Sequence, residues 1–203
     1  MGVQHGQGAE ARAHGDRVDR VQRGQHVGRE RPGVARRARV PLVAVPRREQ
    51  RDEWYSGSAR YARALADDIL PALGPVDPVG VGASLGALAM LHAHVRTPFA
   101  GLFLQSGSFF LPRLDPQERR FPRFQRIVRV VRALQRDAGI PEPVMMTCGI
   151  AEENLANNRL MARALSGQEF DVELHEVPDM HNYTGWRDAL HPYLTRLLAK
   201  VWG

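Results

Sequence analysis

The chain has 203 residues, of which 43% are hydrophobic and 25% charged, with a net charge of +6 and one cysteine. That length suits one domain with a real core, and a single cysteine excludes an internal disulfide framework. No apolar run approaches the ~18 residues of a membrane span, and the N-terminus lacks the apolar core of a signal peptide, which predicts a cytoplasmic protein without a membrane partner.

Residues 1–40 differ from the rest. They hold nine arginines and four acids, and no Leu, Ile, Phe, Trp or Tyr. Such a segment cannot bury enough apolar surface to offset its ordering entropy, which predicts disorder. Beyond it the chain carries nineteen basic and eighteen acidic residues, so the body is nearly neutral. A basic arm could meet nucleic acid, but no aromatic residue is interleaved to stack bases, and no nucleic-acid partner is expected. A single lysine, Lys200, stands against 27 arginines. This suggests GC-rich coding, in which a wrong start or shifted frame also produces Arg/Gly/Val-rich text.

A domain is expected from residue 41 to the C-terminus. Residues 42–45 are a short apolar run that predicts a strand, and residues 47–53 a charged loop. Tyr61, Ala62, Leu65, Ile69 and Leu70 recur at helical spacing and predict a helix over 58–70. Strands are expected at 79–82, 99–104 and 144–148, and a further one, near the sheet edge, around Val172, Leu174 and Val177. Helices are expected at 85–94, around Ile127–Leu134, at 154–165 and as one long helix over 185–202. Residues 111–125, with three prolines, predict an excursion over the surface. Strands alternating with helices imply an α/β fold with a mainly parallel sheet covered on both faces.

Within this pattern Gly82-Ala83-Ser84-Leu85-Gly86 fits G-x-S-x-G. An apolar strand precedes it and an Ala/Leu helix follows, the setting that motif requires. A tight turn there exposes Ser84, and the helix start behind it favours developing negative charge. The Leu85 backbone N–H is the natural oxyanion donor. A serine needs a base, and His181 lies in a loop between the last strand and the last helix, on the rim where the Ser84 turn also lies. His92 and His94 point to different faces of one helix; with His175 and His191 they are expected to be structural or solvated. The acid that orients the imidazole should follow the strand at 144–148: Glu152 is the choice, Glu153 the reserve, and Asp179 is expected to be a turn residue. Cys148 sits in an apolar run and is expected to be buried and inert.

Four segments stand in order along the chain: Arg51-Asp52-Glu53-Trp54-Tyr55, the segment around Ser84, Gln105-Ser106-Gly107-Ser108-Phe109, and His181-Asn182-Tyr183-Thr184-Gly185-Trp186. Through them the chain, from about residue 43 onward, resembles the esterase-D-like α/β-hydrolases, a group that includes enterochelin esterases and mycolyltransferases. The resemblance implies an α/β-hydrolase-type fold and hydrolysis of a small-molecule carboxylic ester without cofactor or metal. Ser84, His181 and Glu152 would act as nucleophile, base and acid. In that group several strands, and a loop giving a second oxyanion N–H, precede the counterpart of residues 42–45. Residues 1–40 have neither, which predicts a member whose N-terminal third is lost or mistranslated, with low activity and poor solubility. An inactive ligand-binding protein of this fold, or an acyltransferase of the mycolyltransferase type, are the alternatives.

Overall fold

The computed structural model describes residues 48–74 and 77–203. The predicted disordered segment 1–40 and the predicted strand 42–45 lie outside the described residues.

The described chain opens with α1 (Arg48–Tyr55) and α2 (Ala59–Ala64), which runs through a wider turn at Leu65–Ile69 into α3 (Leu70–Ala72). Strands and helices then alternate: β1 (Val79–Ala83), α4 (Leu85–His94), β2 (Gly101–Gln105), α5 (Phe124–Leu134), β3 (Pro143–Gly149), α6 (Leu155–Ser166) and β4 (Asp171–Val177). The chain ends in α7 (Tyr183–Asp188) and α8 (Thr195–Trp202). The four strands are parallel and stand in chain order, β1-β2-β3-β4.

That order has a consequence for packing. Right-handed crossovers between successive neighbours bring all the connecting helices to one face of the sheet. Alternate side chains of each strand accordingly serve two layers. Leu102, Leu104, Val144 and Met146 join Leu88, Leu91, Ile127, Val131, Met161 and Leu165 in the larger core under α4, α5 and α6. Phe103 and Met145 point the other way and meet Leu197 of α8. At β1 this second layer thins out, and Val81 is left 44% exposed.

Two expectations fail. Residues 48–55 form a helix where a charged loop was expected. Arg, Glu and Gln are good helix formers, and Trp54 and Tyr55 at its end pack onto the core. The expected long terminal helix is broken, because His191 is extended (φ −113°, ψ 128°). Pro192 follows it, and the residue before proline is pushed out of the α region. No helix among the described residues is long and apolar enough to cross a membrane.

Candidate active site

Four strand ends bring the site together. β1 ends at Ser84, whose backbone takes φ 56° and ψ −124°. A serine at positive φ is strained, and the strain is held in place from several directions. The Ser84 N–H donates to the Gln105 carbonyl at 2.9 Å, and its own carbonyl accepts from the Ser108 N–H at 3.1 Å. A Cβ on Gly82 would stand 2.4 Å from the Gly86 carbonyl, so residue 82 must be glycine for α4 to begin so soon after the strand. A Cβ on Gly86 would meet nothing within 4 Å, so the tight turn demands glycine at only one of the two positions. The Leu85 N–H opens α4, where it has no intrahelical acceptor.

β4 ends near His181, which lies in an exposed loop fastened by Asp179. The Asp179 carboxylate accepts from the Met180 N–H at 2.7 Å and the Asn182 side chain at 3.3 Å, a turn role. His181 Nε2 is 3.0 Å from Ser84 Oγ, and its Nδ1 is 2.8 Å from Glu152 Oε2. Glu152 follows β3, with its side chain only 2% exposed. Its other oxygen, Oε1, accepts from Ser106 Oγ at 2.7 Å and the Gly149 N–H at 2.9 Å. Burial by itself would raise this carboxyl; the hydrogen bonds from His181, Ser106 and Gly149 outweigh it and hold the pKa below the ordinary value. Glu153 points elsewhere and accepts from Gln117. Ser84, His181 and Glu152 are therefore brought together, and Glu153 is not.

The segment after β2 surrounds this line from below. Residues 101–110 are buried without exception. Ser106, at φ 47°, receives the Trp186 Nε1–H at 3.1 Å. An indole N–H only donates, so the Ser106 proton points at Glu152. Gln105 holds the Trp186 carbonyl at 2.8 Å, and the Trp186 ring stands edge-on to His181, 5.0 Å between centroids. From α6, Asn158 takes the Gly107 N–H at 2.9 Å and returns a bond to its carbonyl at 3.1 Å, while Asn154 donates to the Ser106 carbonyl at 3.0 Å. In the sequence Gln105–Phe109 and Trp186 stand out only as carriers of the family resemblance, and the bonds that tie them to each other and to Glu152 are not legible there. The signal that was available is a Gln, two serines and a glycine in succession at a strand end, where apolar residues would otherwise be expected.

The remaining histidines are apart from this line. His94 is wholly buried, its Nε2 on the Ile140 carbonyl at 2.8 Å and its Nδ1 receiving the Phe99 N–H at 3.0 Å. Burial lowers the pKa of both His92 and His94. His175 stacks on Tyr193, 4.3 Å between centroids. Burial also pushes the Cys148 thiol up to about 12, which keeps it protonated and unreactive at neutral pH. Among the described residues no cluster of His, Cys, Asp or Glu could hold a metal ion.

A parallel sheet with a serine elbow after one strand, and acidic and histidine loops after two later ones, is the α/β-hydrolase fold. Solved structures with this fold resemble the chain. Enterochelin esterase from Shigella flexneri matches with a TM-score of 0.60 at 22% identity, over 76% of this chain and 41% of that one. The fluorophosphonate-binding serine hydrolase F of Staphylococcus aureus matches at 0.53 and 13%, over 74% and 68%. S-formylglutathione hydrolase from Staphylococcus aureus matches at 0.52 and 14%, over 71% and 62%. The chain thus spans about two fifths of the enterochelin esterase it resembles. No protein-family model matches the chain, and no curated protein matches it in sequence.

Proposed function

We propose that this chain is a serine hydrolase of carboxylic esters acting on a small molecule. The observation that supports this reading is the unbroken line Glu152–His181–Ser84, at 2.8 Å and 3.0 Å, ending on a serine at positive φ. An ionised Glu152 accepts from His181 Nδ1–H, which leaves Nε2 as the acceptor facing the serine. His181 then takes the Ser84 proton as Ser84 Oγ bonds to the acyl carbon. The carbonyl π pair moves onto oxygen, toward the Leu85 N–H. Collapse expels the alcohol, which takes the proton from His181, and water repeats the sequence to release the acid. No part of the cycle calls for a cofactor or a metal. The enterochelin esterase and serine hydrolase named above share the fold, and the ester class is carried over from the enterochelin esterase as part of this proposal.

The test is covalent labelling. A fluorophosphonate probe should modify Ser84, located by peptide mass, and p-nitrophenyl acetate turnover should vanish in Ser84→Ala. A chain that neither labels nor turns over would be a ligand-binding protein of this fold, and the esterase reading would fall.

A further inference from the structure

The hydrogens around Ser84 can be assigned without being seen. Glu152 is ionised, so His181 Nδ1 donates to it and Nε2 accepts. Ser84 then spends its one proton on Nε2, at 3.0 Å. What remains on Ser84 Oγ is lone pairs, and one of them faces Ser108 Oγ at 3.2 Å. Ser108 must therefore be the donor in that pair. Its side chain has no other partner among the described residues, and the residue is only 3% exposed. Its backbone is tied to the same residue, the Ser108 N–H donating to the Ser84 carbonyl. Gly107 beside it is clasped at both its N–H and its carbonyl by Asn158. A hydroxyl that is buried, fixed and aimed at the nucleophilic oxygen has nothing to stabilise in the resting enzyme except a neutral serine. It gains most when that oxygen carries charge.

We infer that Ser108 is a further catalytic residue, a side-chain donor to the oxygens that become negative during acylation. This rests on the esterase reading above. As His181 Nε2 removes the Ser84 proton, the Ser108 hydroxyl stabilises the growing charge on Ser84 Oγ. Once the bond to the acyl carbon forms, the charge passes to the former carbonyl oxygen, two bonds away. Rotation of the Ser108 hydroxyl then lets it follow the charge, beside the Leu85 N–H. Ser108 keeps its own proton throughout, so the electron and proton count of the ester cleavage is unchanged. A donor already in place before the reaction costs no reorganisation during it.

The test compares Ser108→Ala and Ser108→Cys with the parent chain in two readouts, p-nitrophenyl acetate hydrolysis and the rate of fluorophosphonate labelling. Alanine should lower kcat and the labelling rate together by about 10- to 100-fold, at or below the loss typical of one oxyanion donor. KM should stay within about threefold, because the interaction is made in the transition state. Cysteine, similar in shape but a weaker donor, should fall between, and it carries the test if alanine disturbs folding. Rates for Ser108→Ala within about twofold of the parent in both readouts would overturn the assignment. Ser84→Ala is the control that separates the two claims. If Ser84→Ala is inert while Ser108→Ala is fully active, only the role of Ser108 fails. If Ser84→Ala remains active, or the parent neither labels nor hydrolyses, the esterase reading fails and this inference with it.

Discussion

The segment leaving β2 and the segment leaving β4 both deliver groups to Ser84, and they are built in opposite ways. Residues 101–110 are all buried, whereas residues 178–184 are exposed apart from the half-buried Asp179. The first segment is held by backbone and side-chain bonds from β1, β3, α6 and α7. The second presents His181 on a loop closed mainly by Asp179. The difference shows where order is needed. The groups whose charge and direction must not vary, the Glu152 carboxylate and the hydroxyls of Ser106 and Ser108, belong to the buried side. On the proposed esterase reading, the group that accepts a proton and returns it to a departing alcohol, His181, faces solvent.

The most severe way to break this contrast is to alter the buried carboxylate. Glu152→Gln keeps the shape but presents the imidazole with a neutral amide, which can hold the wrong tautomer. The activity should fall on the order of 10⁴-fold, as losses of the triad acid do. Steady-state kinetics checks this, and a loss under tenfold would mean that Glu152 does not orient His181. The same carboxylate makes stability depend on pH. Its pKa is lower folded than unfolded, so its contribution is complete above its unfolded value, near 4.5. It is then lost as pH falls through the folded value.

A smaller effect is expected at Gly107. A Cβ there would stand 2.2 Å from the Phe109 ring, and Phe109 is only 1% exposed. The ring cannot swing away, so Gly107→Ala should cost about 1–3 kcal/mol, as overpacked sites do. For a chain of this size each 1 kcal/mol lowers Tm by about 2–4 °C. Because Ser106 and Ser108 flank this residue, hydrolysis should fall with stability. Thermal unfolding with parallel rate measurement tests both halves, and an unchanged Tm would show that the turn is not held as tightly as its hydrogen bonds suggest.

The two sides were also unequally legible in the sequence. Ser84 could be read because a strained turn leaves a local pattern of small residues. His181 and Glu152 could be reached from topology, since loops after parallel strands share a rim. The buried scaffold could not be read that way. Ser106 meets Glu152 across 46 positions and Trp186 across 80, and no local period encodes such pairs. At the helix α1 the apolar period was missing because its sequence is polar up to Trp54 and Tyr55, which pack on the core at its end. The break at His191 had a local signal in Pro192, outweighed by the apolar stripe that continues beyond it.

Histidines offer a third comparison, between buried His94 and exposed His181. A second proton on His94 would have to sit on Nδ1, displacing the Phe99 N–H. Burial lowers its pKa from 6.5. Below about 6.5 the unfolded chain therefore binds a proton that the folded one refuses, and stability falls as pH drops. His92 acts in the same direction, whereas the raised carboxyls of Asp115 and Glu118 act against it. A difference measurement isolates His94. His94→Asn should be less stable than the parent at pH 7.5 in urea unfolding, and the gap should narrow at pH 5.5. A gap that widens there would contradict the sign.

The smallest effect should come from the exposed segment itself. Met180 and Tyr183 flank His181 and are 61% and 79% exposed. Tyr183 touches the Trp186 ring edge-on, 5.2 Å between centroids, and only Trp186 continues into the hydrogen bonds around Ser106. Neither side chain is part of the buried layer, so truncation leaves no cavity. Met180→Ala and Tyr183→Ala should each change stability by no more than about 0.5 kcal/mol, which is roughly 1–2 °C in Tm. Any change in hydrolysis should then be confined to KM, because these groups can meet a bound ester but not the charge that develops on it. A kcat that drops in either variant with Tm unchanged would show that the exposed segment, too, helps to hold His181, and the division between a fixed buried side and a freely presented histidine would no longer stand.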